Sequence, residues 1–195
     1  NLIKKKNNIK IIKSNINLEA AKQLSNQKII GRFCGRAEFG ARALGNRSIL
    51  SSPQKNSIKI KINEKVKNRD FWMPFAASVP EKFAKKYFKL DSEIESYNYM
   101  TNCVNTTDLA KLKLQAALHP YDGTCRPHII SKNQNNNYED LINKFGKITG
   151  VYALLNTSFN LHGCPIVNSA EQALKIFEKS NLDGLLFDEL LILKI

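Results

Sequence analysis

The sequence predicts an α/β fold, with helices and strands in layers (α+β layers), organised as one domain. Short apolar runs typical of buried strands alternate along the chain with segments whose apolar residues recur every three or four positions, which is typical of helices. The length of 195 residues suits one domain of ordinary size. A hydrophobic fraction of 43% is enough to form a core, which excludes wholesale disorder.

The domain is predicted to span residues 28–195, preceded by a linker or N-terminal remnant, residues 1–27, that carries a short helix. Residues 1–16 are rich in Lys and Asn, and their few apolar residues are scattered, as in a linker or a severed edge. Asn17 is the expected N-cap of the short helix. The chain does not begin with Met, so we expect it to be a piece of a longer chain.

Strands are expected where a short apolar run is bounded by turn residues. They are predicted at 28–34, 47–51, 75–79, 99–104, 125–131 and 151–155, with a hairpin-like pair at 184–187 and 190–193. Residues 53–66 are ambiguous, because their isoleucines alternate as in a strand whereas Ser52 and Pro53 form a typical helix start; we predict a helix. A short helix is also predicted over 81–88.

The last third of the chain shows the clearest helical periodicity. Apolar residues at i, i+3, i+4 and i+7 predict a helix over 138–145, behind a capping Asn137. The same spacing predicts another helix over 170–177, and Ser169 with Gln172 forms a capping box at its start.

The net charge of +13 comes mainly from lysine. Of the 30 cationic residues 24 are Lys, and the codons of Lys, Asn and Ile are rich in A and T, so the excess can reflect genome composition rather than a polyanionic partner. The six arginines are more informative, because four of them fall within residues 32–47. A guanidinium binds phosphate or carboxylate bidentately, so this cluster indicates an anion site. Nucleic-acid binding is the competing interpretation of the charge.

The composition disfavours several other classes of protein. No apolar run is long enough for a transmembrane helix, and the first residues lack the apolar stretch of a signal peptide, so a cytoplasmic location without a membrane partner is expected. The four cysteines form no C-x-x-C pair, which argues against a zinc site and fits a reduced protein without disulfides.

Two segments in the first half of the chain combine residue types suited to an anion. Residues 40–48 place glycines, which a ligand can approach closely, beside Arg42 and Arg47. Residues 63–69 carry Lys67 in a cationic cluster directly before an aromatic stretch, which is compatible with a nucleotide pocket. The alternatives are a tight turn with surface arginines and a solvated helix end, where cations suit the helix dipole.

Two further segments lie in the second half. Residues 119–126 contain an Asp-Gly-Thr turn and place Arg126 at the start of a predicted strand. Residues 154–163 run from a hydrophobic strand into a polar stretch, and polar side chains past the end of a strand are well placed for a ligand. The alternative is a strand that ends in ordinary Asx and Ser turns.

Taken together and in this order, these segments resemble the C-terminal region of the O-carbamoyltransferases, the family of the nodulation-factor, cephamycin and tobramycin carbamoyltransferases. Residues 36–48 look like the family signature Gly-Arg-Met-Glu-Phe-Gly-Pro-Arg-Ala-Leu-Gly-Asn-Arg-Ser. Residues 122–126 look like its Asp-Gly-Thr-x-Arg motif, and residues 154–160 look like its Leu-Leu-Asn-Thr-Ser-Phe-Asn motif. The match covers roughly residues 28–195.

The resemblance implies a YrdC-like fold, a twisted mixed sheet with flanking helices in a single domain. In family enzymes an actin-like, metal-binding transferase domain lies upstream, and that domain is absent from this chain. The YrdC-like domain makes carbamoyl-adenylate from carbamoyl phosphate and ATP, and the upstream domain transfers the carbamoyl group to a substrate hydroxyl. The implied partners are therefore carbamoyl phosphate, the upstream domain, and ATP as co-substrate with Mg²⁺, and no metal site is expected in this domain itself.

Carried over onto this sequence, the resemblance implies three groups of site residues. The positions that match the catalytic, anion-binding cations are Arg42, Lys67 and Arg126. The positions assigned to substrate binding are Arg47, Thr124, Asn156 and Ser158. The positions assigned to the nucleotide are Gly40 and Asn160. Every reacting species is anionic, so the site is expected to gather cations and exclude water rather than to use a nucleophilic side chain.

The sequence departs from the family pattern at a few positions. Met73 stands where the family has Arg, so either Lys65 or another lysine replaces that phosphate-binding cation, or phosphate binding is altered. Ala41 replaces a Pro, and His128 stands where Gln is common.

Two other functions compete with this one. A non-catalytic nucleic-acid-binding module would use the same positive charge, but it would spread its cations with aromatics over an open face, whereas here the arginines cluster in motifs, so nucleic acid is not the expected partner. A threonylcarbamoyl-adenylate synthase shares the implied fold but not these motifs.

Overall fold

The computed structural model describes residues 8–67, 74–91 and 93–195. Within these ranges the chain forms one eight-stranded sheet and a separate two-stranded ribbon, flanked by helices. The strands are β1 (Ile9–Ile12), β2 (Ile30–Phe33), β3 (Arg47–Ser51), β4 (Ala76–Pro80), β5 (Phe88–Lys89), β6 (Asn105–Thr106), β7 (Pro127–Ile130), β8 (Leu154–Ser158), β9 (Gly184–Leu186) and β10 (Leu191–Lys194). The α-helices are α1 (Ile16–Ser25), α2 (Ser57–Ile62), α3 (Glu81–Tyr87), α4 (Asp108–Lys113), α5 (Asn136–Thr149) and α6 (Ala170–Lys179).

The large sheet is mixed, with the strand order β1-β10-β9-β2-β3-β8-β4-β7. The pairs β2–β9 and β4–β7 are parallel, and the other neighbouring pairs are antiparallel. Strands β3 and β8 lie in the middle of this order and are buried along almost their whole length, because neighbouring strands and helices cover them. The predicted α/β class, a mixed sheet with flanking helices, is confirmed.

Helices α1 and α5 pack against each other beside the sheet. Helix α5 buries the apolar residues that its periodicity predicted, and Phe145 among them is fully buried. Its N-cap is Asn135, whose side chain accepts a hydrogen bond from the Tyr138 N–H (3.1 Å), so the prediction of Asn137 was two residues late. The predicted cap of α6 is confirmed, since Ser169 accepts from the Gln172 N–H (3.3 Å).

The predicted linker contains two elements that join the rest of the fold. Strand β1 pairs antiparallel with β10 along its whole length. Helix α1 begins at Ile16, and the side chain of Asn17 donates a hydrogen bond to the carboxylate of Asp140 (2.8 Å) instead of capping the helix. The short helix predicted in this segment is confirmed, whereas strand β1 was not predicted, because its partner β10 lies at the other end of the chain.

Three predicted elements differ from those observed. The helix predicted over 53–66 is confirmed as a helix, but α2 begins at Ser57 and continues as a π-helical turn, Asn63–Lys67. Residues 99–104 do not form the predicted strand, since Met100 has a φ of +57° and only Val104 makes an isolated bridge. The strand predicted at 151–155 is observed later in the chain, as β8 (Leu154–Ser158), so Asn156 and Ser158 belong to the sheet.

Among the described residues, no helix is both long and apolar enough to cross a membrane.

The contact between α1 and α5 gives a direct test of the core. Replacing Phe145 by Ala is expected to lower the free energy of unfolding by about 3–5 kcal/mol, because the variant loses a buried ring and leaves a cavity. The matched control is Ile148→Ala in the same helix, where the side chain is 45% exposed and the expected change is below about 1 kcal/mol. Urea unfolding measures both, and equal effects would contradict the packing described here.

Candidate functional site: an arginine-lined cavity beside the β2–β3 loop

The loop between β2 and β3 is held together by the carboxylate of Glu38. Its Oε1 accepts hydrogen bonds from the backbone N–H groups of Leu44 (2.7 Å), Asn46 (2.7 Å) and Arg47 (3.1 Å). Neighbouring N–H groups that converge on one anion form an anion-binding nest, and here the chain supplies the anion itself. Bonds to a charged acceptor are stronger than neutral ones, so this carboxylate fixes the course of the loop.

Arg47 holds the same loop through its carbonyl groups. It is buried, and it donates to the backbone oxygens of Cys34 (2.9 Å), Gly35 (3.0 Å) and Asn46 (2.9 Å). Its guanidinium lies 3.7 Å from the centre of the Phe33 ring. Burial lowers the pKa of Arg47 from its usual value, and the nearby carboxylate of Glu38 opposes that shift. Arg47 was predicted to bind substrate, but the structure places its guanidinium against the loop carbonyls. It does not line the cavity described below.

Arg32 is a second buried arginine that holds the loop. Its guanidinium donates to the carbonyl of Gly45, to Asn46 Oδ1 (3.2 Å) and to Asn137 Oδ1 (2.9 Å), and it lies 5.2 Å from the centre of the Tyr138 ring. Gly45 is required here, because its φ is +108° and a Cβ atom would lie 2.3 Å from that ring. The sequence drew attention to Arg32 only as a member of the arginine cluster.

A cavity of about 300 Å³, the anion cavity, opens beside the loop. It brings together four sequence-predicted site residues: Arg42, Arg126, Asn156 and Ser158. The other described residues on its walls are Ala41, Ala43, Pro74, Phe75, Ala76, Met100 and Thr157. No carboxylate is found among these lining residues, and within the described part of the chain neither guanidinium has an ion-pair or hydrogen-bond partner.

Lys67 lies behind one wall of the anion cavity, at the end of the π-helical turn that follows α2. Its buried ammonium group lies within hydrogen-bond distance of the carbonyl and hydroxyl of Ser158 (2.5 and 3.1 Å) and of the carbonyl and Oδ1 of Asn160 (3.2 and 2.6 Å). The Ser158 hydroxyl donates to Asn160 Oδ1 (2.7 Å). Three predicted site residues therefore meet at the end of β8.

A chain of neutral hydrogen bonds supports the cavity from within the sheet. Asn156 Nδ2 donates to the carbonyl of Ala43 (3.0 Å) and to the Ser78 hydroxyl (2.9 Å). The Ser78 hydroxyl lies 2.9 Å from His128 Nδ1. Since Ser78 accepts from the amide, its own proton is available to Nδ1, which leaves the ring proton of the neutral His128 on Nε2. Burial lowers the pKa of His128 to about 3, so the imidazole is neutral at physiological pH.

Sequence reasoning missed Glu38 and Ser78 as contributors to the site. Glu38 stands inside the signature segment and could have been found there as the one carboxylate beside several cations. Ser78 gave no signal, because a serine within an apolar strand is common in cores. His128 was noted only as a departure from the family pattern.

Thr124 and Gly40, like Arg47, lie away from the walls of the anion cavity. The hydroxyl and the N–H of Thr124 both donate to Asp122 Oδ1 (2.7 and 2.8 Å), so Thr124 closes its own turn. Gly40 is exposed and has a φ of +129°, with no atom near the position of a Cβ. Met73 and the side chain of Lys65 lie outside the described part of the chain.

The groups that line the anion cavity suit a phosphate better than a metal ion. Guanidinium, amide and hydroxyl groups bind phosphate oxygens, whereas Mg²⁺ prefers carboxylates and water. Among the described residues there is no group of three His, Cys, Asp or Glu side chains arranged to hold a metal. Direct protein ligands for Mg²⁺ are therefore not provided by these walls.

Three of the four motif segments line the anion cavity, and Lys67 of the fourth contacts Ser158 on its wall. The chain matches the family model described as "Carbamoyltransferase C-terminus" over residues 21–194 and belongs to that family, which confirms the resemblance seen in the sequence.

Similar proteins include two nodulation proteins. The chain is 42% identical to nodulation protein NolNO of Sinorhizobium fredii over 175 residues, which is 90% of this chain and 26% of NolNO. It is 41% identical to nodulation protein NolO of Bradyrhizobium diazoefficiens, over 90% of this chain and 32% of NolO. The chain thus spans between a quarter and a third of the length of these two relatives.

The fold is also found in a solved structure. Full-length HypF in its phosphate- and nucleotide-bound form superposes with a TM-score of 0.55 at 16% identity, over 87% of this chain and 24% of that chain. This likeness shows a shared fold.

The role of Glu38 in the loop can be tested by removing its acceptor oxygens. Glu38→Ala leaves three backbone N–H groups without their partner and is expected to lower the free energy of unfolding by about 1–3 kcal/mol. Glu38→Gln keeps an acceptor oxygen and is expected to cost less. The control is Glu189→Ala, at an exposed carboxylate, and the measurement is urea unfolding. Equal stability of the Glu38→Ala and Glu189→Ala variants would show that the nest does not hold the loop.

The buried neutral His128 predicts a pH dependence of stability. Its pKa is about 3 in the folded protein, whereas an unfolded histidine titrates near 6.5, so between these values the unfolded state binds one more proton. The contribution of His128 to stability is therefore complete above pH 6.5 and falls by about 1.4 kcal/mol for each pH unit below it, about 2 kcal/mol at pH 5.

Urea unfolding at pH 7.5, 6, 5.5 and 5 measures this dependence. It is expected to be much weaker in His128→Gln and unchanged in His162→Gln, where the histidine is exposed. An equally steep decrease in His128→Gln would mean that another group is responsible.

Proposed function

We propose that this domain binds carbamoyl phosphate and ATP and forms carbamoyl-adenylate, from which an upstream domain transfers the carbamoyl group to a substrate hydroxyl. The observation that carries the proposal is the pair of guanidinium groups, Arg42 and Arg126, on a cavity whose described walls contain no carboxylate. Two cations without a counter-charge on concave walls favour a ligand that carries at least two negative charges.

The proposed chemistry uses anions at every step. Carbamoyl phosphate is hydrolysed to carbamate and phosphate. A carbamate oxygen then attacks the α-phosphorus of ATP, the bond to the β-phosphate oxygen breaks, and pyrophosphate leaves. The products of the two steps together are carbamoyl-adenylate, pyrophosphate and the phosphate released from carbamoyl phosphate. A domain that holds these anions in line, and excludes bulk water once carbamate has formed, accelerates the reaction by positioning and charge stabilisation, without a nucleophilic side chain.

The side chains divide these tasks according to their positions. Arg42 and Arg126 face the anion cavity and bind phosphate oxygens, in keeping with the bidentate geometry of a guanidinium. Asn156 and Ser158 line the same cavity and offer neutral hydrogen-bond groups to the carbamoyl or adenylate moiety. Lys67 contacts Ser158 and Asn160, so its charge lies close to the ligand and orients the end of β8.

The comparisons support this proposal in three ways. The chain belongs to the carbamoyltransferase C-terminal family. HypF, which shares the fold, was solved with phosphate and nucleotide bound. The two nodulation relatives are three to four times longer than the matched segment, which leaves room in them for an upstream transferase domain.

In this proposal Mg²⁺ would bind together with ATP, as the metal complex of its phosphates. The described walls offer it no carboxylate, so the phosphates of the nucleotide and water would be its ligands. The metal would shield charge on those phosphates, and the guanidinium groups of Arg42 and Arg126 would complement it. Carbamoyl phosphate and ATP are metabolites of the cell interior, so the proposed location is the cytoplasm.

The proposal is tested by ATP–pyrophosphate exchange that depends on carbamoyl phosphate, measured with the full-length protein. Lys67→Ala and Arg126→Ala are each expected to reduce the exchange at least 100-fold, because each removes a cation from the site. The matched control is Lys61→Ala, an exposed lysine in the same helical segment as Lys67, which is expected to leave the exchange unchanged. Wild-type exchange in both site variants would contradict the proposal.

Thermal shift with the same proteins separates the enzyme from the nucleic-acid-binding alternative. Stabilisation by ATP or carbamoyl phosphate, lost in Arg126→Ala, supports the enzyme. Stabilisation by RNA alone, with a strong dependence on salt, would favour the nucleic-acid module.

A further inference from the structure

The side-chain amide of Asn156, on the wall of the anion cavity, has no donor left for a ligand. Its Nδ2 carries two hydrogens, and both are used within the protein, by the carbonyl of Ala43 (3.0 Å) and the hydroxyl of Ser78 (2.9 Å). The amide cannot be turned around, because the carbonyl oxygen of Ala43 accepts hydrogen bonds and would repel Oδ1 at the same place. Only Oδ1 therefore remains for a ligand.

This Oδ1 is an acceptor that lacks a donor. Asn156 is 1% exposed, and within the described part of the chain its Oδ1 is buried and makes no hydrogen bond. Buried polar atoms without a partner destabilise a fold and are uncommon, so such an atom on a cavity wall indicates a partner that arrives with the ligand. Because Asn156 lines the anion cavity, a ligand bound there can supply the donor.

Ser158, on the same wall, has also used its donor. Its hydroxyl proton goes to Asn160 Oδ1 (2.7 Å), and its oxygen accepts a hydrogen bond from Lys67 (3.1 Å). A hydroxyl oxygen has two lone pairs, so one acceptor position is left for a ligand. Asn156 and Ser158 therefore both present acceptors to the anion cavity.

The anion cavity thus combines two kinds of group with opposite requirements. The guanidinium groups of Arg42 and Arg126 have only donors and bind an anion, whereas Asn156 and Ser158 offer acceptors and suit an uncharged donor. Carbamoyl phosphate meets both requirements, because it carries a phosphate and an NH₂ group. Acetyl phosphate has nearly the same shape, but it carries a methyl group in place of the NH₂ group.

The buried pair Ser78 and His128 holds the Asn156 amide in place from behind the wall. Both residues are almost fully buried, and His128 Nδ1 lies 2.9 Å from the Ser78 hydroxyl. Because the neutral ring nitrogen accepts the Ser78 proton, the hydroxyl oxygen is free to accept from Asn156 Nδ2. If Ser78 directed its proton at the amide instead, two donors would face each other and the amide would lose one of its two anchoring bonds.

We propose that Ser78 and His128 are positioning residues that keep the Asn156 acceptor available to the ligand and thereby make the anion cavity selective for a carbamoyl group over its acetyl analogue. This inference rests on the proposed function. Asn156 Oδ1 accepts from the NH₂ group while Arg42 and Arg126 hold the phosphate. An acetyl group fills the same space but leaves Oδ1 buried without a donor, and sites built to bind an N–H group discriminate strongly against analogues that lack it.

Two stable analogues test this selectivity by titration calorimetry of the full-length protein. Phosphonoacetamide carries an NH₂ group, and acetonylphosphonate carries a methyl group in its place on the same phosphonate. Wild type is expected to bind phosphonoacetamide about 10- to 100-fold more tightly, because only this ligand gives Oδ1 a donor. Asn156→Leu removes the acceptor and is expected to abolish the preference. Equal affinities in wild type, or a preference retained in Asn156→Leu, would overturn the inference.

Ser78→Ala and His128→Leu test the positioning of the amide. Each is expected to weaken phosphonoacetamide binding about tenfold and to leave acetonylphosphonate binding unchanged, a difference that a general loss of structure would not produce. His128→Gln keeps an acceptor for the Ser78 hydroxyl and is expected to retain the wild-type preference. The matched control is His162→Leu, at an exposed histidine, which is expected to change neither affinity.

The outcomes separate this inference from the proposed function. If wild type binds both analogues equally and Arg126→Ala binds neither, the selectivity is wrong and the anion site stands. An unchanged preference in both Ser78→Ala and His128→Leu would overturn the positioning role, as would an equal loss of both ligands in these variants. If wild type binds neither analogue, the proposed function is wrong and this inference falls with it.

Discussion

The site depends on one electrostatic arrangement, in which the carboxylate of Glu38 closes the β2–β3 loop from within by accepting three backbone hydrogen bonds. A loop rich in glycine loses much conformational entropy when it is ordered, and charged hydrogen bonds offset part of that loss. The carbonyl groups of the loop are satisfied separately by the buried guanidinium groups of Arg32 and Arg47. Because the polar backbone of the loop is satisfied in this way, Arg42 is left to face the anion cavity.

The arginine cluster shows both what the sequence reveals and what it hides. Four arginines within sixteen residues predicted an anion site, but only Arg42 of these four lines the anion cavity, where Arg126 from a distant segment joins it. The sequence could not separate Arg42 from Arg32 and Arg47, which bind the loop carbonyls. Their burial follows from the register of β2 and β3, in which Arg32 pairs with Ser48 and Phe33 pairs with Arg47. Because register depends on how two strands pair, it cannot be predicted from the sequence of one strand alone.

The fold was predictable where the spacing of apolar residues within one segment indicates which side of an element is buried. Helices α5 and α6 repeat apolar residues with helical spacing, and both were found. Strand β1 was missed because its partner β10 lies at the other end of the chain, so the local sequence does not show the pairing. Strand β8 was placed too early, because Asn156 and Ser158 were interpreted as residues beyond a strand. Asn156 and Ser158 lie within β8 because this strand forms part of the cavity wall. There Asn156 bonds to the carbonyl of Ala43 and Ser158 bonds to Lys67.

The hydrogen-bond chain through Ser78 extends from the anion cavity into the buried sheet. Asn156 lines the anion cavity, His128 is buried behind it, and both contact the Ser78 hydroxyl. Every member of this chain is neutral, and burial keeps the pKa of His128 far below physiological pH. A charged imidazole at this position would be a buried cation for which the chain supplies no counter-charge. Because the chain stays neutral, the exposed positive charge on the cavity walls is confined to Arg42 and Arg126.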